Sequence, residues 1–369
     1  MWNQYLVNKL VNELGFVQSR IDECLFYRGK VMYALYTDDS ILAGPDKAEI
    51  DKIIQEMRDC KLNITDEGDI TDFLGVNIEN MEDGTIKLSQ PHLVDQILKD
   101  LRLDGDDVKI KTTPAASSRI LSRHPTSPSF DGSFHYRSII GKLNYLEKCT
   151  RPDIAYAAHQ CARFTEDPKR EHGKAVRWLG RYLKGTRDKG VIFRPIKDKD
   201  LEVYVDADFV GNWTKEEAND RENARSRHGY IVQYNGCPIL WKSQLQGEIA
   251  LSSTESEYMG ISYSLRDTIP IMTTLDEMRT KNFPVKCSKG RVRCKLFEDN
   301  SGALEMAKVH KYRPRTKHIN AKYHHFRDFV TSGQITLHPI DTKSQPADML
   351  TKPLNEISLI RHRMHIMGW

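Results

Sequence analysis

Residues 201–209 read LEVYVDADF. Leu201, Val203 and Val205 alternate with Glu202, Tyr204 and Asp206, the period of a β-strand that turns one face toward a core. Asp206 closes the strand on the face opposite the aliphatic residues, and Asp208 has the same phase. Downstream, GYIVQYN (229–235) and PILWKSQ (238–244) make two more strands around the turn NGC, and ALSS (250–253) is short and extended. TESEYMGISYSLRD (254–267) is helical, and CKLFEDN (294–300) is a strand feeding the helix SGALEMAKVH (301–310). HINAKYHHFRDFV (318–330) is helical, QITLHPI (334–340) is a strand, and PADMLTKPL (346–354) starts a last helix. The order is three strands, helix, strand, helices, strand, helix, with no tandem repeat.

Four acids fall at element ends along this order. Asp206 closes the first strand, Glu257 lies in the first turn of a helix, Asp299 sits at a strand-to-helix junction and Asp348 opens the last helix. Each alone has a plain structural reading. Glu257 could complete a capping box with Thr254, and Asp299 and Asp348 could cap helices or favour their starts. Together they can converge on one site, where two divalent ions about 4 Å apart would flank a scissile phosphate. Hard oxygen ligands point to Mg²⁺, with Mn²⁺ as the alternative. Asp208 and Glu255 are the alternates to Asp206 and Glu257. A zinc set written from Cys287, Cys294, His318 and His324 competes poorly, because six residues lie between the cysteines and finger knuckles keep two to four.

Upstream, VMYALYTDDSILAGP (31–45) reads as two strands around Thr37-Asp38-Asp39. A helix with Leu6, Leu10, Val11 and Leu14 on one face precedes it, followed by a polar loop. After it come a helix at 46–60, strands in DITDFLGVNIE (69–79) and GTIKLSQ (84–90), and a helix in PHLVDQILKDLRL (91–103). Residues 112–134, rich in Ser, Pro and Thr, read as a linker. Within 172–184, Lys174, Arg177, Arg181 and Lys184 share a helix face opposite Val176, Leu179 and Leu183. A second basic run, 308–327, holds seven Lys or Arg and no acid. Its Arg315, Lys317, His318, Lys322 and Arg327 are interleaved with aromatics, as in nucleic-acid grips. A solvated helix face is the plainer reading of either run.

The 369 residues are 39% hydrophobic and 29% charged, with a net charge of +4, enough chain for two or three domains. No apolar stretch reaches the length of a membrane span, and the N-terminus has no signal-peptide pattern. Seven scattered cysteines fit reduced thiols. The expected location is therefore intracellular, cytoplasmic or nuclear, with no membrane contact.

The wording of several segments is similar to copia-type long-terminal-repeat retrotransposon polyproteins. VDADFVGNW, SRHGYIVQYNG, LWKSQLQGEIALSSTESEYMG, EDNSGALEMAK, RTKHINAKYHHFRDFV and SQPADMLTKPL occur in order and resemble that family's ribonuclease H. GFVQSRIDECLFYR, YALYTDDSILAGP, DFLGVNIE, LSQPHLVDQIL, YRSIIGKLNYLEKCTRPDIAYAAHQCARF and RWLGRYLKGTRDKGVIF resemble the second half of its reverse transcriptase. The resemblance implies Asp206, Glu257, Asp299 and Asp348 as catalytic, metal-holding acids. It places Asp38 and Asp39 on the polymerase's Tyr-x-Asp-Asp signature, with Thr37 where valine is usual, and there they too would hold metal. Arg266-Asp267 departs from the family's usual glutamate before a tryptophan-containing stretch.

The fold so implied is mixed α+β and α/β. A partial reverse-transcriptase palm (1–111) is followed by the linker (112–134) and a thumb- or connection-like helical region (135–197). A ribonuclease H-like mixed sheet with flanking helices (198–354) and a tail (355–369) complete it. The implied reaction is Mg²⁺-dependent hydrolysis of the RNA strand of RNA–DNA hybrids. The family's third palm carboxylate and its fingers lie upstream of the motifs found here, so this chain by itself is expected to lack DNA polymerase activity. The implied partners are hybrid and primer–template nucleic acid, other element-encoded proteins and an N-terminal polymerase half. Two other readings stand beside this one: a non-catalytic nucleic-acid-binding remnant, and half of a working reverse transcriptase completed by upstream sequence. In some ribonuclease H domains a mobile histidine helps product release, and His338 is the residue to ask about.

Overall fold

The computed structural model describes residues 2–116, 121–123, 126–196, 199–215, 220–287, 290–308 and 321–369. The chain forms two compact units, one of residues 1–70 with 267–293, the other of residues 71–266 with 294–369. Among the described residues no helix is long and apolar enough to cross a membrane.

In the first unit α1 (Trp2–Asn8) continues into a wide helical turn at Lys9–Glu13. Leu6, Leu10 and Leu14 lie on its buried side. The segment read as a polar loop instead forms β1 (Val17–Gln18) and β2 (Leu25–Arg28). These strands are too short to show a period, yet Phe26 and Tyr27 are buried in β2. With β3 (Val31–Tyr36) and β4 (Asp39–Ala43) they make an antiparallel sheet in the order β1-β2-β3-β4. The helix α2 (Lys47–Asp59) begins on Asp46, whose side chain accepts the Ala48 N–H, and it buries Ile53 and Met57 with Phe16, Phe26, Val31 and Tyr33.

The second unit carries two sheets. The smaller runs β5 (Asp72–Phe73), β6 (Val76–Asn80), β7 (Ile86–Ser89) and β8 (Val191–Phe193), all antiparallel. Four helices lie in sequence between its third and fourth strands: α3 (Pro91–Asp100), α4 (Tyr136–Cys149), α5 (Ala155–Ala162) and α6 (Arg170–Gly185). Val94, Ile97, Ile139, Leu143, Leu179 and Leu183 share their core. The stretch read as a linker lies inside this unit, where Phe130 and Phe134 pack with Tyr136 at ring distances of 5.7 and 6.0 Å.

The larger sheet comprises β9 (Leu201–Asp208), β10 (Arg227–Tyr234), β11 (Cys237–Leu245), β12 (Cys294–Glu298) and β13 (Ile335–Pro339). Its order is β11-β10-β9-β12-β13. The first three strands are antiparallel, and β12 joins β9 and β13 in parallel. This is a five-stranded mixed sheet, built in the element order read from the sequence. Strand β9 is central and buried on both faces from Leu201 to Ala207, so its alternation marks two environments, core and site. The helix α7 spans Ser253–Thr280, twice the length read from sequence, with Pro270 inside it. Its first part, through Arg266, belongs to the second unit and the rest to the first. Within the first unit that later part accepts the Arg20 N–H on Glu277 at 2.8 Å. After α8 (Ser301–Lys308), α9 (Arg327–Thr331) and the short α10 (Asp348–Thr351), residues read as a tail form α11 (Glu356–Met367), which buries Leu359 and Ile366.

Candidate active site

Strands β9 and β12 run side by side up to the pair Tyr204–Phe297 and then part. Gln345, fully buried, closes the gap from one side: its Nε2 donates to the Val205 carbonyl at 2.8 Å and the Phe297 carbonyl at 3.5 Å. Asp206 and Asp299 stand just beyond these two carbonyls, at the carboxyl ends of parallel strands where open α/β sheets form their crevices. Two glycines let the covering helices come close. A Cβ on Gly260 would lie 3.3 Å from Val205, so α7 can lie against β9 and bring Glu257 over it. Gly229 pairs with Asp206 across the sheet, and a Cβ there would lie 2.5 Å from Leu350 Cβ. Helix α10 therefore rests on the strand, and Thr351 Oγ1 donates to Asp206 Oδ2.

The result is a group of acids. Asp206, Glu257 and Asp299 each offer an oxygen within 4.8 Å of the others. Asp348 faces the same cluster through Lys352, whose Nζ lies 2.9 Å from Asp348 Oδ1 and 3.7 Å from Asp206 Oδ2. Helix α7 starts one residue earlier than its sequence reading, at Ser253, and the capping falls to Glu255: it takes the Leu251 N–H at 2.8 Å and gives its own N–H to Ser252 Oγ at 3.1 Å. That leaves Glu257, 7% exposed, to the cluster.

Burial is the main cause of the electrostatics here. Burial first, then Glu298, Asp206 and Asp299, push the Glu257 carboxyl well above the usual range. Burial also raises Asp206, against the pull of Lys352 and Thr351. Burial and the Asp206 charge lift Asp348 to about 7 and Asp208 to about 6. Glu298 was missed in the sequence reading. It is fully buried, accepts the Asn300 N–H at 2.9 Å, and is raised by burial and by Asp299 and Asp206. Its position beside Asp299 in EDN was the available signal. Among the described residues, Glu257 Oε2 and Glu298 Oε2 are buried without a hydrogen-bond partner. Orphaned carboxylate oxygens, crowded by like charges, are what a bound cation would satisfy.

The other sequence-derived positions lie elsewhere. Asp38 and Asp39 are exposed on the β3–β4 turn, and among the described residues no third acid gathers with them into a metal-sized group. On α6, Lys174 pairs with Glu171 at 2.7 Å, Arg177 donates to the Leu101 carbonyl at 2.8 Å and Lys184 donates to the Gly105 carbonyl. Arg181 keeps Nε buried without a partner among the described residues. The stripe thus folds largely onto the chain after α3 and not into an open phosphate ridge. Helical spacing shows which side chains share a face but not what packs against it. Lys322 pairs with Glu248 at 2.5 Å, and Arg327 donates to the Met306 carbonyl at 3.3 Å. Arg315, Lys317 and His318 lie outside the described residues. No zinc set forms among the described residues; Cys294 is buried in β12, and His324 Nδ1 meets Tyr258 Oη at 2.5 Å. His338 Nε2 lies 2.8 Å from Thr336 Oγ1, and burial lowers its pKa.

Comparison with known proteins adds four matches. A family profile described as reverse transcriptase (RNA-dependent DNA polymerase) matches residues 1–116. A retrovirus-related Pol polyprotein from transposon TNT 1-94 of Nicotiana tabacum is 32% identical over 94% of this chain and 26% of its own length. The Pol polyprotein from transposon RE1 of Arabidopsis thaliana is 32% identical over 96% of this chain and 23% of its own. The chain therefore spans about a quarter of the length of these curated relatives. The solved N-terminal RNase H domain of a Mycobacterium tuberculosis protein, fused to maltose-binding protein, is 11% identical, covering 44% of this chain and 96% of that one. Its TM-score of 0.28 is too low to place a fold.

Proposed function

We propose, on the premise that this chain belongs to the copia-type retrotransposon Pol polyproteins, that its second unit hydrolyses the RNA strand of RNA–DNA hybrids. The observation that carries this reading is the convergence of Asp206, Glu257 and Asp299 within 4.8 Å, from a strand, a helix and a strand-to-helix junction. Asp348 and the orphaned oxygen of Glu257 fit the same role. Mg²⁺ ions held by these acids would supply a more acidic bound water and offset charge on the scissile phosphate. Asp206, at the centre, is oriented by the Thr351 hydroxyl. Gln345 bridges the two strands below Asp206 and Asp299, through the Val205 carbonyl and the Phe297 carbonyl two residues before Asp299. Asp348, lifted to about 7, is the acid whose charge changes nearest neutral pH. Hydrolysis leaves a 3′-hydroxyl and a 5′-phosphate, and 2′-hydroxyl contacts would mark the RNA strand.

We assign residues 198–354 as the ribonuclease H-like region, with 267–293 contributed to the first unit, and residues 1–111 as palm-derived. Asp38 and Asp39 are the palm's Asp-Asp pair in this reading. The protein works inside the cell, on hybrid and primer–template nucleic acid. The test is cleavage of a labelled RNA–DNA hybrid in Mg²⁺, run beside primer extension on the same preparation. Asp206→Asn should reduce hybrid cleavage by at least ~10³-fold, the scale of losing a reaction centre. Cleavage that survives this change overturns the assignment, and a wild-type chain that binds hybrid without cutting it favours a binding remnant.

A further inference from the structure

The acid cluster contains one cation that the proposed reaction does not use. Lys352 follows α10 in extended backbone, and its N–H still reaches the Asp348 carbonyl at 3.2 Å. Its side chain turns back four residues, to Asp348 Oδ1 at 2.9 Å and Asp206 Oδ2 at 3.7 Å. Among the described residues it is the only cation ion-paired with the cluster. Five carboxyl groups (Asp206, Glu257, Glu298, Asp299 and Asp348) act on one another there. Buried carboxylates so crowded need a counter-charge, and a single ammonium is a small one.

Lys352 is also placed to leave. Its side chain is 36% exposed, whereas the Arg151 guanidinium, paired with Asp153 elsewhere in this unit, is fully enclosed. Lysine is a point charge on a flexible stem, with no fork geometry to hold it to a carboxylate. Both of its partners are acids that the proposed metal centre needs on the Asp348 side. An ammonium and a divalent cation cannot share the same oxygens at contact distance without strong repulsion.

We propose that Lys352 is a displaceable internal counter-ion: it holds Asp206 and Asp348 in the metal-free protein and must swing into solvent for a divalent cation to be bound between them. The inference rests on the proposed metal centre and assigns this residue a role within it. Lys352 is a positioning residue that sets how readily the Asp348 side loads. It stabilises the metal-free fold and competes with the metal.

The test uses the full chain, with Mn²⁺ as the probe, read by electron paramagnetic resonance, and thermal unfolding in chelator or in Mg²⁺. Lys352→Met keeps the stem and removes the charge. It should bind Mn²⁺ at least ~10-fold more tightly, as expected when a competing charge is lost. Its melting temperature should fall below wild type in chelator, and the gap should close in Mg²⁺. Lys352→Arg should stay close to wild type in chelator. A Lys352→Met chain that binds Mn²⁺ no more tightly than wild type, or whose melting gap persists in Mg²⁺, overturns the inference. If Lys352→Met folds only with Mg²⁺ present, that is the expected result in stronger form. If neither wild type nor Lys352→Met binds Mn²⁺, the metal centre itself fails; if both bind alike and Asp206→Asn does not, only the role of Lys352 fails.

Discussion

The molecule has two acidic features at the carboxyl-side limits of β-strands, and they have different surroundings. Asp38, in the open turn after β3, and Asp39, which opens β4, are both exposed. Asp206 lies near the carboxyl end of β9 beneath α7 and α10, where neighbouring elements add Glu257, Asp299 and Asp348. Both regions even carry a β-branched residue in the left-handed backbone region, Thr37 at φ 53° and Val210 at φ 55°. What separates them is cover. Burial and like charges perturb the second cluster, and perturbed acids in a crevice are the usual mark of working chemistry. An acidic pair becomes a site when other elements close over it.

The largest test of that contrast is a pair of substitutions. Glu257→Gln removes a cluster acid and should reduce hybrid cleavage by ~10²-fold or more, while Asp38→Asn should leave it within twofold. Cleavage rates on the same hybrid, at the same Mg²⁺ concentration, decide it. Equal losses would show that the exposed turn takes part in the chemistry and would collapse the distinction.

A second test uses pH. The folded-state carboxyls of Asp348, at about 7, and Asp208, at about 6, lie above their ordinary values. A raised carboxyl contributes stability below the unfolded value and loses it as pH rises through the folded one. In chelator, the protein should therefore lose stability between pH 4 and pH 7 at these two groups. Mg²⁺, which needs the ionised acids, should stabilise more at pH 8 than at pH 5.5. Melting curves at the two pH values check the sign. An Mg²⁺ effect of equal size at both would place metal binding away from these groups.

Packing gives a third, smaller effect. Gly229→Ala puts a Cβ 2.5 Å from Leu350 Cβ, and overpacking of that kind costs about 2 kcal/mol. It should also push α10 off Asp206, so hybrid cleavage should fall further than the lost stability alone explains. Urea unfolding and cleavage rates on one preparation separate the two. No residue on the β3–β4 turn should show such a double effect.

The same contrast explains what could be read from the sequence. The strand order after residue 200 and the acids at its element ends were legible because each strand carries its own period and each acid marks a boundary. Strands β1 and β2 were not, since two- and four-residue strands have no period. The extent of α7 was hidden because its two parts serve different units, so no single apolar stripe runs along it. Lys352 carries no signal of its own in a linear pattern, and Glu298 only its place beside Asp299. Each matters because of charges brought close by β12 and α10. The α6 stripe failed in the opposite way, a clear linear signal whose partners are backbone carbonyls after α3.

Stability should divide along the same line. In β4 no residue is fully buried, and that strand ends its sheet, whereas β9 is central and buried throughout its first seven residues. Edge amides with little packing open at low free energy. Hydrogen exchange should therefore label β4 before β9, by at least ~10-fold in rate. Matched protection in the two strands would show that exposure of the Asp38–Asp39 turn does not reflect a weaker region.

The smallest effect is the strain itself. A left-handed backbone costs an L-residue roughly 1–2 kcal/mol, and glycine gives back roughly 0.5–1 kcal/mol in chain entropy. Thr37→Gly should thus stabilise the first unit by about 0.5 kcal/mol, seen as slower exchange of β3 and β4 amides, with hybrid cleavage unchanged. Val210→Gly relieves the same strain at a different place. There the loop holds Gly211 against Asp208, where a Cβ would lie 1.5 Å from Asp208 Oδ2. Strain that persists beside a site is held by the structure around it. Val210→Gly should therefore gain similar stability but lower hybrid cleavage several-fold, as the loop no longer fixes Asp208 beside Asp206. If both substitutions stabilise and neither alters cleavage, the strained turn at Val210 is as idle as the one at Thr37, and the difference between the two regions lies in burial alone.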